Sequence, residues 1–259
     1  MVDLHCHILP GVDDGAQNLE ESLRMVEAAR AVGVESIVCT PHVRDPYFDY
    51  DKMWDAFDLL SSQTDMPLTM GWEVNHRKLM QLGYDWIDYL HTDGESVVLL
   101  ELDNHCRESQ FEDYERSIYQ IQTRGYDVIV AHPERYSAIQ KNPDLAERLL
   151  AQGCELQASS DFMYGGRLGK EKKPAEELFR RGLYTYIASD AHRPDHYRFM
   201  REAYDKFSST LRQPRRSTVV FQETRSWEAI EVAPEPVVEP AGEPKPEKPA
   251  YVGKHFKKL

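Results

Sequence analysis

The sequence lacks the features of a membrane-spanning or disulfide-rich protein. No apolar run approaches the roughly 18–20 residues that a membrane-spanning helix needs. The first residues carry no basic stretch followed by an apolar segment, so we expect no secretion signal. Only four of the 259 residues are cysteines, and no two of them form a CxxC pair. This pattern argues against a disulfide framework and a cysteine-type zinc site, and it fits a reducing, cytoplasmic setting.

Positive charge is also scarce. The chain has 31 Lys and Arg against 44 Asp and Glu, which gives a formal net charge of −13 at pH 7. A protein that binds nucleic acid in general carries a basic surface for the phosphates, so we do not expect a nucleic-acid partner.

Several common catalytic motifs are missing as well. The sequence contains no GxSxG pentapeptide of a serine hydrolase, no GxxxxGK[ST] loop and no GxGxxG fingerprint. No cysteine is followed by an arginine six residues later, so the chain has no Cys-x5-Arg loop that could hold a phosphate around a thiolate. We therefore looked for a site that uses histidines and acids.

The composition changes near residue 232. Six prolines stand in the eighteen residues 233–250, where they remove backbone donors and block helices. We predict a folded domain over 1–232 and a disordered, Pro/Glu-rich tail over 233–259 that ends in a short basic tip.

The body alternates strand-like and helix-like segments. This alternation predicts an α/β fold, either a parallel barrel or a doubly wound sheet, and both place chemistry at the carboxyl ends of the strands. Asn18 with Glu21, and Asn142 with Pro143, are typical of helix starts, and Gly153 is typical of a helix end. The predicted strands cover 2–8, 35–40, 67–74, 96–102, 126–132, 154–159 and 184–189, and the predicted helices cover 18–32, 51–63, 110–124, 143–152, 173–182 and 196–211.

Six of the seven predicted strands deliver a histidine or an acid at the same end. Any one of these residues alone is more often structural than a ligand. Burying five imidazoles and four carboxylates together would cost several kcal/mol per unpaired charge, and divalent cations remove that cost. Mixed imidazole and carboxylate ligation favours zinc, manganese or iron over calcium. The nine candidate ligands, enough for two or three ions with shared carboxylates, are His5, His7, Asp14, His42, Glu73, Glu101, His132, Asp190 and His192.

A site with several metal ions favours hydrolysis of a phosphoester. Such ions lower the pKa of a bound water, supply hydroxide and neutralise the phosphate oxygens, whatever the net charge of the whole chain. Arg135 and Arg193 follow the ligand motifs at positions where a guanidinium could bind phosphate in a bidentate manner. Either could instead pair with a loop acid, and Arg198 is an alternative to Arg193.

The motifs together resemble the polymerase-and-histidinol-phosphatase (PHP) superfamily, in particular its bacterial protein-tyrosine phosphatase branch of capsule and exopolysaccharide synthesis. The resemblance covers about residues 1–212. It rests on HCHILPGVDDG at 5–15, TPH at 40–42, GWE at 71–73, AHPER at 131–135 and ASDAH at 188–192.

This resemblance implies a distorted (β/α)7 TIM-like barrel with three divalent ions, most often manganese, with iron or zinc as alternatives. It also implies that Arg135 binds phosphate, with Arg193 as a looser match. The implied ligand sets are His5, His7, Glu73 and Asp190 for the first ion, Asp14, His42 and His192 for the second, and Glu101 and His132 for the third, with Glu73 as the bridge.

The resulting functional prediction is a cytoplasmic, metal-dependent protein-tyrosine phosphatase that uses metal-activated hydroxide. Its implied substrate is phosphotyrosine on a bacterial tyrosine autokinase that controls polysaccharide export. Two alternatives stay open: a small-molecule phosphatase of the histidinol-phosphatase type, and a non-catalytic regulator that binds the kinase. The sequence also leaves open whether the chain forms oligomers, and whether the predicted mobile loop at 164–170 helps to place substrate.

Overall fold

The structure, a computed structural model, describes residues 1–167 and 169–215. The predicted tail at 233–259 and the predicted domain boundary at residue 232 lie outside the described residues. None of the helices in the described part of the chain combines the length and apolarity needed to cross a membrane.

Nine strands of the described residues form the centre of the fold, and every pairing among them is parallel. They lie in two hydrogen-bonded sheets with the orders β1-β2-β4 and β3-β5-β6-β7-β8-β9. The strands are β1 (Val2–Cys6), β2 (Ser36–Cys39), β3 (His42–Val43), β4 (Leu68–Met70), β5 (Glu73–Asn75), β6 (Val97–Glu101), β7 (Asp127–Ala131), β8 (Glu155–Ser159) and β9 (Tyr186–Ala188).

Two of the predicted strands differ in the structure. The prediction at 35–40 corresponds to β2, which the unpredicted strand β3 continues beyond Thr40 and Pro41, and the prediction at 67–74 becomes β4 and β5. The register runs on across both gaps, because Cys39 pairs with Met70 and His42 pairs with Glu73. Pro41 has no N–H to give to a sheet ladder, which explains one break. The nine strands therefore follow seven strand lines.

The two ends of this seven-stranded arrangement meet. His7 N–H donates to the carbonyl of Ala191 at 2.9 Å, and Asp190 N–H donates to the carbonyl of His5 at 2.7 Å. Cys6 and Ala191 form a parallel bridge between the same segments. The first and last strand lines are thus joined, and the predicted distorted (β/α)7 TIM-like barrel is confirmed.

Eight α-helices are present in the described residues, two more than predicted. The additional helices, α3 and α5, are short and show no long apolar period. The helices are α1 (Leu19–Ala31), α2 (Tyr50–Ser61), α3 (His76–Leu82), α4 (Phe111–Thr123), α5 (Ser137–Lys141), α6 (Asp144–Ala151), α7 (Lys172–Arg180) and α8 (Tyr197–Phe207).

The helix-end predictions hold in part. Asn18 Oδ1 accepts a hydrogen bond from Glu21 N–H at 3.0 Å, as a helix cap should. The other half of the expected capping box does not form, because the Glu21 carboxylate accepts from Gln17 N–H instead. Helix α6 starts one residue later than predicted, so Pro143 takes the cap position. Gly153 adopts a φ of 101° just beyond that helix, as predicted for a helix end.

The apolar core consists of two layers. A large layer fills the space between the barrel and its helices, and a smaller one fills the barrel. Along β6 the lining of the barrel changes from apolar to ionisable, since Leu99 is followed two residues later by Glu101 on the same strand face. The inner layer comprises Leu4, Val38, Val97, Leu99, Ile129, Ala131, Tyr186 and Ala188.

Candidate metal centre

The nine candidate ligands meet at the carboxyl end of the barrel. Eight of them are buried, and only Asp14, with 31% of its side chain exposed, reaches the surface. Their ligand atoms form overlapping groups in which all atoms lie within 4.8 Å of one another. The groups are His7–Asp14–His42–His192, His5–His132–Asp190, His5–His7–Glu73 and His42–Glu73–Glu101.

This grouping agrees only in part with the ligand sets that the family resemblance implies. The implied second set of Asp14, His42 and His192 is found together, with His7 added. Asp190, however, groups with His5 and His132, and Glu101 groups with His42. The implied pair of Glu101 and His132 is therefore not one of the groups.

Glu73 lies at the centre of the cluster, which suits the bridging role that the resemblance implies. Its Oε1 lies 2.7 Å from His132 Nε2 and 3.5 Å from His5 Nε2. Its Oε2 lies 3.5 Å from His7 Nε2 and is in close contact with His42 Nδ1. One carboxylate thus faces four imidazoles that come from three strand lines, since His5 and His7 share the first.

The two histidines of the first motif are turned inward by partners on their outer nitrogens. His5 Nδ1 lies 2.9 Å from Gln157 Oε1, and His7 Nδ1 lies 2.8 Å from Asp13 Oδ2. Their Nε2 atoms lie 3.3 Å apart and face the other candidate ligands. Hydrogen bonds of this kind orient metal-binding imidazoles. Sequence reasoning missed Gln157 as a site residue, although a buried glutamine in an apolar strand was a usable signal.

The glycine of the Asp-Asp-Gly motif permits a close approach of backbone to backbone. A Cβ on Gly15 would lie 2.0 Å from the carbonyl oxygen of His7, and Ala16 N–H donates to that same oxygen at 3.0 Å. Because Gly15 has no side chain, the loop can fold directly against His7. Asp14 Oδ1 is thereby placed 3.2 Å from His42 Nε2 and 3.4 Å from His192 Nε2.

Two other candidate ligands have left-handed backbone. His132 has a φ of 32° and Asp190 a φ of 48°, a region that residues other than glycine rarely enter. Such strain persists only where the surrounding structure enforces it, and it concentrates at functional sites. The sharp turn after each strand brings both side chains over the end of the barrel.

Many ligand atoms in this cluster are buried and contact mainly one another, without a hydrogen bond of regular geometry among the described residues. A buried polar atom without a partner costs roughly 1–3 kcal/mol, so a cluster of them calls for a physical reason. Imidazole nitrogens and carboxylate oxygens are typical ligands of divalent transition-metal ions, so these residues suit such ions. The atoms are Asp14 Oδ1, His42 Nδ1, Glu73 Oε2, His132 Nδ1, Asp190 Oδ1 and His192 Nε2.

The electrostatics divide the histidines of the metal-free protein into two classes. Burial opposes charge on His5, but Asp190 and Glu73 raise its pKa to about 9. Burial likewise opposes charge on His42, but Glu73 and Asp14 raise its pKa to about 10. Burial together with the nearby His7 lowers the pKa of His192 to about 4. Protons on His5 and His42 thus balance the buried carboxylates when no metal is present.

The two central acids stay ionised in this surrounding. Burial would raise the pKa of Glu73, but His42 and His5 hold it well below its usual range. Burial would likewise raise the pKa of Asp190, which Arg135 and His5 hold well below its usual range. Both acids are therefore available as charged oxygen ligands near neutral pH.

Arg135 lies inside the site. Its Nη2 is 2.9 Å from Asp161 Oδ2, 2.5 Å from Asp190 Oδ2 and 3.0 Å from Ser159 Oγ. Its Nε is buried and has no hydrogen-bond partner among the described residues. Ser159 and Asp161 are site residues that sequence reasoning did not identify, since neither belongs to a ligand motif.

Arg193 lies next to the site and is bound to the backbone. Its Nη1 donates to the carbonyls of Asp14 at 3.1 Å and Gly15 at 2.6 Å, and also to the carbonyl of His192. Arg198, the alternative considered from the sequence, lies over the ring of Phe199 at 4.6 Å.

Two arginines at the mouth of the site were not predicted. Arg44 Nη2 lies 2.7 Å from His42 Nε2 and 3.5 Å from Asp14 Oδ2, and Arg167 Nη2 lies 3.3 Å from that same Asp14 oxygen. The spacing of Arg44 from His42 was a usable signal, because residues two apart share a strand face. Arg167 lies on the loop predicted at 164–170, and no motif marked it.

Comparison with known proteins agrees with the resemblance drawn from the motifs. The family model described as "Capsular polysaccharide synthesis, CpsB/CapC" matches residues 1–226. The chain is 31% identical over 202 residues to tyrosine-protein phosphatase YwqE of Bacillus subtilis (strain 168), covering 74% of this chain and 77% of that protein. It is 26% identical over 219 residues to tyrosine-protein phosphatase CpsB of Streptococcus agalactiae, covering 79% of this chain and 88% of that protein.

A solved structure agrees with these sequence matches. It is described under crystal structures of YwqE from Bacillus subtilis and CpsB from Streptococcus pneumoniae, "unique metal-dependent tyrosine phosphatases". The match has a TM-score of 0.69 at 27% identity and covers 81% of this chain and 89% of that one. The resemblance drawn from the motifs is thus confirmed, and the chain belongs to the CpsB/CapC family of capsular polysaccharide synthesis.

Proposed function

We propose that the protein is a metal-dependent phosphatase that hydrolyses phosphotyrosine in a partner protein. The observation that carries this proposal is the buried cluster of five imidazoles and four carboxylates, in which six residues keep a ligand atom without a hydrogen bond of regular geometry among the described residues. The names of the relatives, which are tyrosine phosphatases, support the same reaction.

The nine clustered residues are the proposed metal ligands. Four overlapping groups of donors support a centre of three ions in which Glu73 is shared. The mixture of nitrogen and oxygen donors suits manganese, which we propose as the resident metal, and also iron or zinc. When bound, such cations supply the Lewis acidity that activates water and neutralises phosphoryl oxygens.

Arg135 is the proposed phosphate ligand of the inner site. Its unpartnered Nε–H supports this role, because a guanidinium that keeps a free donor can bind a phosphoryl oxygen. Asp161 and Ser159 hold its Nη2 and thereby fix the orientation of the guanidinium plane. Arg193 stays a prediction as a second phosphate ligand, since its guanidinium donates to backbone carbonyls beside Asp14.

The surroundings of the cluster leave room for an aryl group. A cavity of about 710 Å³ adjoins the cluster and shares Glu101 with it, and Arg44, Leu102 and Tyr114 also line it. Cavities of this size are typical of sites that take small organic groups. The cavity supports a substrate in which a ring carries the phosphate, as in phosphotyrosine.

The partner that we propose is a bacterial tyrosine autokinase of capsule or exopolysaccharide synthesis. The cytoplasm is the proposed compartment, and it is supported by four cysteines that are all buried and unpaired. Two competing functions are hydrolysis of a small phosphate ester such as histidinol phosphate, and kinase binding without catalysis. The experiment has to separate both from the proposed function.

The deciding experiment combines chelation with a substrate panel. The protein is stripped of metal, its metal content is measured, and turnover of a phosphotyrosyl peptide, an aryl phosphate and histidinol phosphate is recorded before and after addition of Mn²⁺. We expect no turnover without metal, recovery with Mn²⁺, and the highest kcat/KM on the phosphotyrosyl peptide.

The matched variants are His42→Ala inside the cluster and His91→Ala outside it. His91 precedes β6 at the opposite end of the barrel, where its Nδ1 lies 2.9 Å from the carbonyl oxygens of Thr92 and Glu95. We expect His42→Ala to lose metal and activity together, and His91→Ala to keep both. Full activity in protein shown to hold no metal would refute the proposal, and preferred turnover of histidinol phosphate would replace the substrate.

A further inference from the structure

Asp14 is the candidate ligand that connects the buried cluster to solvent. Its Oδ1 faces His42 and His192, whereas its Oδ2 faces two arginines that approach from different parts of the chain. Arg44 Nη2 lies 3.5 Å and Arg167 Nη2 lies 3.3 Å from this one oxygen. The two guanidinium groups therefore converge on one point at the mouth of the site.

Arg44 is held in place by its own turn. Its carbonyl accepts hydrogen bonds from Tyr47 N–H at 2.9 Å and Phe48 N–H at 3.0 Å, and its guanidinium lies 5.7 Å from the centre of the Tyr47 ring. Its Nη1 lies 3.8 Å from Glu101 Oε1. The side chain is 29% exposed, so solvent and ligands can reach it.

Arg167 projects from a compact turn rather than from a regular element. Gly165 and Gly166 both have positive φ, and Glu171 Oε2 accepts from Lys170 N–H at 2.8 Å to close the loop. A Cβ on Gly166 would lie 2.5 Å from the Glu171 carboxylate, so only glycine allows the turn to pack against this buried acid. Arg167 is thereby directed across the site towards Asp14, with its side chain 39% exposed.

Both arginines differ from Arg135 in the partners they hold. Arg135 is 4% exposed and, besides the candidate ligand Asp190, it pairs with Asp161, which is not a candidate ligand and keeps balancing its charge inside the protein. The acids that Arg44 and Arg167 face are candidate metal ligands, whose charge divalent cations would neutralise. The two guanidinium groups would then be available to another anion at the same point.

Resting on the proposed function, we propose that Arg44 and Arg167 form a phosphate clamp at the mouth of the site. The clamp takes a phosphate monoester dianion, or the inorganic phosphate that hydrolysis leaves behind. Guanidinium groups suit this ligand because each presents parallel N–H donors to two phosphate oxygens. The clamp also offsets the repulsion of anions by a chain of net charge −13, because two cations at the mouth attract a dianion locally.

The test measures phosphate binding rather than turnover. Protein loaded with Mn²⁺ is titrated with inorganic phosphate by calorimetry at low ionic strength, and its metal content is determined by mass spectrometry. The variants are Arg44→Gln, Arg167→Gln and the double variant. The matched control is Arg201→Gln, because Arg201 is an exposed arginine on α8 whose partner Asp205 is no candidate ligand.

We expect each single variant to bind phosphate about 10- to 100-fold more weakly with unchanged metal content, as for the loss of a charge-assisted hydrogen bond. The control should keep the wild-type Kd. An unchanged Kd in both single variants would overturn the clamp. So would a loss of metal in parallel with the loss of phosphate, since the arginines would then act only on the Asp14 carboxylate.

The clamp and the proposed function fail separately. Wild-type protein that binds phosphate through these arginines, yet hydrolyses no phosphate ester with any metal, would remove the proposed function and leave the clamp. If the protein is an active phosphatase and both substitutions leave its Kd for phosphate unchanged, the clamp is refuted and the proposed function stands. Thermal unfolding of each variant checks that the loop and the barrel stay folded.

Discussion

Metal binding by this cluster should release protons, and two histidines set the number of protons released. In the metal-free protein, buried acids raise the pKa of His5 to about 9 and of His42 to about 10. Both imidazoles are therefore charged at pH 7.5. A nitrogen can bind a metal only after it loses its proton, so metal affinity must fall as the pH falls below these values.

The size of the effect follows from how the donors group. No group contains both His5 and His42, so we expect each ion that uses one of them to displace one proton. One displaced proton changes the affinity about tenfold per pH unit, which equals about 1.4 kcal/mol. Between pH 7 and pH 9 the affinity of such an ion should rise about 100-fold. At pH 7.5 the loaded protein should have released about two protons in total.

Calorimetry of Mn²⁺ binding in two buffers of different ionisation enthalpy measures this release directly. His192 provides an internal contrast, because burial and His7 lower its pKa to about 4 and it has no proton to lose at pH 7.5. Replacing His192 should therefore weaken binding without changing the number of protons released. Tight binding with no proton release at pH 7.5 would refute the electrostatic reasoning.

The same two pKa values predict the stability of the metal-free protein. Both folded-state values lie above the ordinary histidine value of about 6.5, so the charged imidazoles stabilise the fold fully below that pH. This contribution should disappear as the pH rises through about 9 and then about 10. Urea unfolding of metal-free protein from pH 6.5 to pH 10 measures the decline, and metal-loaded protein should not show it.

Three further substitutions test separate parts of the site. Arg135→Ala should keep metal and weaken phosphate binding, which calorimetry measures. It should also lower the free energy of unfolding by about 3 kcal/mol or more in urea titrations, because Asp190 loses its buried partner. Gly15→Ala should lower both stability and metal content, since its Cβ would overlap the His7 carbonyl, and a matched Gly94→Ala in open space should keep its metal. Burial raises the pKa of Glu134 to about 7, so wild-type stability should fall by about 3 kcal/mol from pH 5 to pH 8, whereas Glu134→Gln should lack this decline in urea titrations.

The fold and the gathering of the nine residues could be expected from the sequence because parallel strands impose a common direction. Every strand of such a barrel ends at the same rim, so a histidine or acid at each strand end must face the others. This reasoning needs only element types and approximate ends, and it survives the breaks after the strand at 35–40 and within the strand at 67–74. It could not indicate α3 or α5, since helices of five to seven residues leave no apolar period to detect.

The grouping of ligands within the cluster depends on details that strand ends do not fix. Side-chain rotation decides whether His132 faces Glu73 or Glu101, and the left-handed backbone at His132 sets the starting direction. The second layer of partners, such as Gln157 behind His5, comes from a strand more than 150 residues away. No local motif records such a pairing, so it could be found only from the folded chain.

The arginines are the hardest residues of the site to predict from the sequence. Their long side chains can place the charge far from the backbone position that carries it. Arg193 directly follows a ligand, yet its guanidinium turns back to three carbonyls and braces the loop that carries Asp14. Arg167 belongs to no ligand motif, yet glycine turns and the buried Glu171 direct it to the same acid. Arg193 stays a prediction as a phosphate ligand, and Arg44 stands two residues after a ligand, whereas the position of Arg167 beside Asp14 could be found only from loop geometry.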